Sequence, residues 1–291
     1  MRSLTTEGTI KSLSDFPASE TIQKRHSVRT YDAKPLSEQD LEKLTAYAKM
    51  LQNPFGIPVK VQLLETGDAS TKKLGTYGVI KGTKTFLGVT VPKGALSLEA
   101  VGYSFEQLIL YATHLGIGTC WLAATFDRKA FTGAMNVGDD EWMPAISPIG
   151  YPSEKRAISE SLMRSGMKSN QRKDWKELFF SGDFRTPLSR TEADAYAQPL
   201  EMLRLAPSVT NAQPWRVLRR DRAFHFYAKV AEGQGEVDPP IIQRVDVGIC
   251  ANHFCLAAQE QGLSGTLKAT EAPTKIDVPD NCRYLFTWTE D

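Results

Sequence analysis

The sequence predicts an α+β protein of two half-domains in tandem, each a mainly antiparallel sheet flanked by helices, the halves related by a pseudo-twofold axis. Three observations carry this. Stretches that alternate apolar and polar residues stand between stretches with apolar residues every three or four positions, which mark strands and helices mixed along one chain. A Pro-Leu-Ser signature that caps a helix occurs at Pro35-Leu36-Ser37 and again at Pro187-Leu188-Ser189. A long apolar helix pattern closes on glycine twice, at Gly116 and at Gly262.

In the first half, Ser37 followed by Asp40 opens an amphipathic helix whose apolar stripe is Leu41, Leu44, Ala48 and Leu51. Val59-Lys60-Val61-Gln62-Leu63 alternates as a half-buried strand, and Thr85 to Val91 is rich enough in Phe, Leu and Val for a second. Leu98, Val101, Phe105, Leu108, Ile109, Ala112 and Leu115 form one helical stripe, with Gly116 placed to end it. Gly118-Thr119-Cys120-Trp121-Leu122 leads into an extended segment, and a further strand fits Ala145 to Tyr151.

The order then starts again. Ser189 with Glu192 forms a second capping box, and Trp215-Arg216-Val217-Leu218 stands where Val59 to Leu63 stood. The span from Gly248 to Gly262 equals that from Gly102 to Gly116, the first glycine of each preceded by Val, and Arg283 to Trp288 supplies the closing strand. A repeat of about 150 residues is too long for a solenoid unit and fits two copies of a half-domain. The expected division is a first half over 1–152, a basic helical linker over 153–182 and a second half over 183–291.

With 291 residues the chain can bury a sizeable core. Its 35 Lys and Arg balance 34 Asp and Glu, so no excess charge points to nucleic acid or another polyanion. The linker stretch is basic, but Glu154, Glu160, Asp174 and Glu177 offset its charge and Trp175 stands as a lone aromatic, too little for a nucleic-acid surface. Cys120, Cys250, Cys255 and Cys282 sit singly, without zinc-ligand spacing, and read as reduced core thiols. Neither a secretory leader nor an apolar run near membrane length is apparent, so no membrane partner is expected and cytoplasmic residence is the default. No Gly-x-Ser-x-Gly elbow marks a hydrolase, and no Gly-x-Gly-x-x-Gly after a strand marks a Rossmann nucleotide site.

Two stretches carry candidate binding chemistry. Arg25-His26-Ser27-Val28-Arg29 packs two guanidiniums, an imidazole and a hydroxyl into five positions, groups that suit a phosphate. Pro207-Ser208-Val209-Thr210-Asn211-Ala212-Gln213-Pro214-Trp215 combines turn-setting prolines with side chains able to read the edge of a heteroaromatic ring.

Together these stretches resemble the nitroreductase family of FMN-dependent oxidoreductases, in which an Arg-x-Ser-x-Arg motif precedes a Pro-Ser-x-x-Asn-x-Gln-Pro-Trp motif. Leu115-Gly116-Ile117-Gly118-Thr119-Cys120-Trp121 and Ile149-Gly150-Tyr151-Pro152 look like that family's later signatures, in the expected order. One departure is informative. Where ordinary members place the second motif, this chain has Gln52-Asn53-Pro54-Phe55-Gly56-Ile57-Pro58, and ahead of Pro187 it has no Arg-x-Ser-x-Arg. The halves have divided the motifs, as in the tandem branch of the family, in which one chain mimics the usual homodimer.

The resemblance implies one FMN per chain. It carries Arg25, His26, Ser27 and Arg29 to the phosphate end, with Arg172 as a further basic ligand. Pro207, Ser208 and Asn211 are implied along the ribityl chain and ring, Lys81 at the pyrimidine edge, and the backbone of Ala123, Ala124 and Thr125 as a donor to flavin N5. The implied cycle is ping-pong hydride transfer from NADH or NADPH, with the nicotinamide bound transiently, to a nitroaromatic, a quinone or another flavin. A catalytic acid–base dyad and a metal are not required, and a monomer is expected, with further dimerisation left open. A flavin-binding or redox-sensing protein without turnover is the alternative, and a cofactor-free interaction protein is the other.

Overall fold

The structure is a computed structural model that describes residues 2–5, 16–66, 74–153, 171–230 and 242–291. The chain divides into two compact units, one of Met1–Ser12, Lys24–Ser97 and Ser104–Ser169, the other of Leu13–Gln23, Leu98–Tyr103 and Asn170–Asp291. Each contains a five-stranded sheet with helices, so the α+β expectation holds.

The first unit's sheet has the order β1 (Arg2–Thr5), β2 (Lys60–Glu65), β3 (Thr85–Pro92), β5 (Glu141–Gly150) and β4 (Gly118–Thr119), every pairing antiparallel. In β3 six consecutive residues, Phe86 to Val91, are buried, so this central strand is enclosed on both faces. Helix α2 (Glu38–Met50) begins as its sequence dictates: the Ser37 hydroxyl accepts the Asp40 N–H at 3.1 Å. Tyr151 also donates to the Asp40 carboxylate at 2.5 Å, and the two hydroxyls hold that carboxyl below its ordinary range.

Helix α3 (Ser97–His114) is buried along nearly its whole length, its polar Glu99, Ser104, Glu106 and Gln107 included. At its end Gly116, at φ +76°, donates to the Thr113 carbonyl at 3.0 Å while Ile117 donates to Ala112 at 2.9 Å. This crossed pair of bonds requires a residue in the left-handed region. Residues 128–135 form the short helix α4 (Arg128–Met135), capped by Asp127, which sequence periodicity did not single out.

The second unit's sheet repeats the pattern as β6 (Phe179–Ser181), β7 (Trp215–Arg220), β8 (Ala223–Lys229), β10 (Cys282–Glu290) and β9 (Gly265–Lys268). All pairings are antiparallel except β6 with β7, which is parallel. Tyr196, Phe224, Phe254 and Trp288 form one aromatic cluster of edge, tilted and stacked contacts. The long helix of this unit runs Gln243–Glu260 and ends like its counterpart: Gly262, at φ +71°, donates to Gln259 and Leu263 donates to Ala258, both at 2.9 Å.

The second capped helix departs from expectation. The Ser189–Glu192 capping box is present, but the helix it opens stops at Ala193, where Asp194 turns to φ 51°, ψ −127°. A 3₁₀ turn over Asp194–Tyr196 then feeds a separate helix, Ala197–Arg204. Pro199 falls in that helix's first turn, where a missing N–H costs nothing. Of the expected linker, 154–170 lie outside the described residues; the remainder holds the single turn Trp175–Leu178 and strand β6.

All four cysteines are free and buried, as their isolated placement predicted. Burial pushes the Cys250 and Cys255 thiols up, the latter to about 12. No helix among the described residues is long and apolar enough to cross a membrane.

Candidate flavin site

In the first unit the Arg25–Tyr31 stretch leaves helix α1 (Ala18–Lys24) and runs extended beside two other segments. Val28 donates to the Thr119 carbonyl at 2.8 Å, Tyr31 donates to Lys81 at 2.8 Å, and Lys81 donates back to Arg29 at 2.9 Å. Buried Val28 and Tyr31 anchor the stretch, and the Tyr31 hydroxyl closes on the Val28 carbonyl at 2.7 Å. The next residue after Lys81 must be glycine. Gly82 has φ +94°, and a Cβ there would stand 2.0 Å from the Tyr31 carbonyl oxygen. The fold thus brings Lys81 alongside Arg29, although it lies far from it in sequence and its side chain is exposed.

The arginines are the telling groups. Arg25 has only 7% of its side chain exposed, and its Nε lies 3.8 Å from the Glu106 carboxylate, beyond hydrogen-bond reach. Among the described residues the buried Nε of Arg25, and the buried Nε and Nη1 of Arg29, find no hydrogen-bond acceptor. Charged donors withdrawn from water without acceptors are costly. They fit a doubly charged phosphate, which offers several acceptor oxygens. Ser27 is half-buried between them, whereas His26 is exposed, with Nδ1 3.1 Å from the Lys24 carbonyl.

Past Thr119 the chain passes Cys120, Trp121 and Leu122, and Leu122 exchanges backbone hydrogen bonds of 2.9 Å with Ile146. Beyond that bridge the Arg128 guanidinium takes the Ala123 carbonyl. The N–H groups of Ala123, Ala124 and Thr125 have no acceptor among the described residues, and Ala124 and Thr125 are exposed.

The second unit holds the other candidates. Arg172 donates to the Leu205 carbonyl at 3.0 Å and to Asn211 Oδ1 at 3.3 Å, and Asn211 donates in turn to the Gln171 carbonyl at 2.9 Å. Ser208 Oγ accepts the Gln213 N–H at 2.9 Å, and Gln213 Oε1 accepts the Lys173 N–H at 2.8 Å. Half-buried Pro207 enters this loop. Thr210, Asn211 and Gln213 all adopt positive φ, at 51°, 57° and 50°. Three such residues in four are a concentration of backbone strain, of the kind that binding loops hold.

The degenerate copy in the first unit, like Asn211, has its asparagine side chain engaged by the protein. Asn53 turns inward on its own loop, donating to the Ile57 carbonyl at 2.8 Å and to Ser104 at 3.2 Å, so its side chain is consumed by structure.

Two groups central to the geometry escaped the sequence reading. Glu106 is fully buried in α3, and its Oε2 accepts the Trp121 indole N–H at 2.6 Å. Asp246 is enclosed in the Gln243–Glu260 helix, and its two oxygens accept the Val209 N–H at 3.2 and 3.3 Å. The available signal was an acid set in an apolar helix stretch, as in Phe105-Glu106-Gln107-Leu108 and Val245-Asp246-Val247.

Buried arginine donors that suit an anion thus stand in an α+β fold. A family model described as putative TM nitroreductase matches residues 18–258, and the chain belongs to that family. Among solved structures, a putative nitroreductase from Thermotoga maritima is 18% identical over 95% of each chain, with a TM-score of 0.58. A nitroreductase family protein from Clostridium difficile is 16% identical, covering 52% of this chain and 92% of its own, with a TM-score of 0.41. A nitroreductase with bound FMN from Bacteroides fragilis is 18% identical, covering 50% of this chain and 92% of its own, with a TM-score of 0.38. No curated protein matches.

Proposed function

We propose that the protein is an FMN-dependent NAD(P)H oxidoreductase of nitroreductase type. The observation that carries this reading is the set of buried guanidinium donors of Arg25 and Arg29 that lack acceptors, flanking the Ser27 hydroxyl. FMN bound there would supply hydride-transfer chemistry between NADH or NADPH and a nitroaromatic, quinone or flavin acceptor in a ping-pong cycle.

The chain's residues bind, orient and tune. Arg25, Ser27 and Arg29 hold the phosphate; His26, exposed and bonded beside Lys24, contributes through its backbone place in the turn. Lys81 sets a positive charge at the pyrimidine edge, favouring the anionic charge that reduction develops there. The open N–H groups of Ala123, Ala124 and Thr125 are the donors toward N5. By the family resemblance Pro207, Ser208 and Asn211 are the candidates for the ribityl chain and ring and Arg172 for a further phosphate contact; within the second unit Arg172 is held by Asn211 and the Leu205 carbonyl. One FMN per chain is the stoichiometry that the divided motifs imply, with the single chain standing where relatives use a dimer.

Comparison of FMN with riboflavin, which lacks the phosphate, tests the carrying observation. Arg29→Ala is expected to weaken FMN binding by about 10- to 100-fold, the loss of one or two charge-assisted hydrogen bonds. Riboflavin binding should not change. Equal affinity of the unaltered protein for the two flavins would remove the phosphate from this site.

A further inference from the structure

Glu106 has no exposed surface, and its neighbours on α3 are apolar or buried. A carboxylate in that setting is strongly disfavoured unless its oxygens are engaged. Here each oxygen has a different task. Oε2 is fixed by the Trp121 indole at 2.6 Å, and Trp121 is itself held edge-on to Phe105, with centroids 4.9 Å apart. Oε1 lies 3.8 Å from Arg25 Nε. That distance gives attraction between charges without drawing the Nε–H into a hydrogen bond.

We propose that Glu106 is a positioning residue for the phosphate site: it orients the Arg25 guanidinium by charge and leaves its donors free for the ligand. The inference rests on the FMN reading above and names the residue that makes its phosphate contact selective. Arg25 comes directly after α1 and would otherwise be free to turn toward water, so the buried charge keeps it in the binding geometry.

The test is binding of FMN and of riboflavin to the full chain carrying Glu106→Gln. The amide keeps the volume and an acceptor for Trp121 but removes the charge. The expected result is FMN binding weakened about tenfold or more with riboflavin binding unchanged, because one oriented charge-assisted contact is lost. In an Arg25→Ala background the same substitution should add nothing, since Glu106 acts through Arg25. Equal loss for both flavins would mean a packing role only, and tighter FMN binding would mean that Glu106 merely offsets charge; either overturns the proposal. Should Glu106→Gln not fold, Trp121→Phe removes the donor that fixes Oε2. It is expected to lower FMN affinity relative to riboflavin in the same direction, and an unchanged ratio would refute the proposal. An unaltered chain that binds FMN no better than riboflavin would instead defeat the underlying phosphate reading.

Discussion

Asp246 shows how much a single enclosed group can set. It lies wholly inside the second unit, holding the Val209 N–H at the mouth of the strained turn, and burial pushes its carboxyl well above the usual range. A carboxyl raised on folding favours the folded state fully below the unfolded carboxylate value, and that contribution is lost as pH rises through the folded value. Asp246→Asn keeps an acceptor for Val209 and cannot ionise. It should therefore stabilise the protein at neutral pH by about 1–3 kcal/mol, the scale of a poorly compensated buried polar group. The gain should vanish below about pH 4, where an unfolded aspartate is itself protonated. Thermal unfolding of both proteins across that range measures it, and a gain independent of pH would contradict the assignment.

Elements that carry their own local chemistry were legible in the sequence. The caps at Ser37 and Ser189 and the glycine stops at Gly116 and Gly262 stand where residue types placed them, because each depends on bonds within a few residues. Strand β8 was not singled out, although Ala223-Phe224-His225-Phe226-Tyr227 is rich in strand formers and follows the Asp221 turn. Expected strands were short at their ends, as with β5, which begins at Glu141 instead of Ala145, because pairing with β3 extends it through Trp142 and Glu141. The matched glycines of the two long helices have a packing reason that periodicity alone does not reveal. A Cβ on Gly102 would lie 2.1 Å from the Val245 carbonyl oxygen, and one on Gly248 would lie 2.2 Å from that of Glu99. Each glycine is thus met by the carbonyl three residues before the other. Beside the crossing Arg244 grips the buried Glu99 through both carboxylate oxygens, at 2.6 and 3.0 Å. Either Gly102→Ala or Gly248→Ala should cost about 1–3 kcal/mol or more by overpacking against backbone that cannot move aside. Denaturant unfolding checks it, and a neutral result at both positions would show that the helices do not approach this closely.

At the scale of the chain, each of the two units holds a five-stranded sheet of the same relative strand order, the second with a parallel edge strand. The phosphate-type and ring-reading motifs were legible because each packs several distinctive residues into a short stretch. Their supports were not. Glu106 and Asp246 act across 81 and 37 residues of sequence, on Arg25 and Val209 respectively. A lone acid in an apolar helix gives no hint of its partner until the fold supplies one. Nor do the positive φ angles of Thr210 and Gln213 announce themselves, since neither residue type favours that region.

The proposed function requires that this chain bind FMN and reduce it with a nicotinamide. Its most direct test is the absorption spectrum of the full chain, supplemented with FMN and desalted, before and after anaerobic addition of NADPH or NADH. Retained flavin at one per chain, and bleaching of its visible band by at least one of the two nucleotides, are the expected results. Loss of all flavin on desalting would contradict the cofactor assignment, and retained flavin that neither nucleotide bleaches would contradict the oxidoreductase activity.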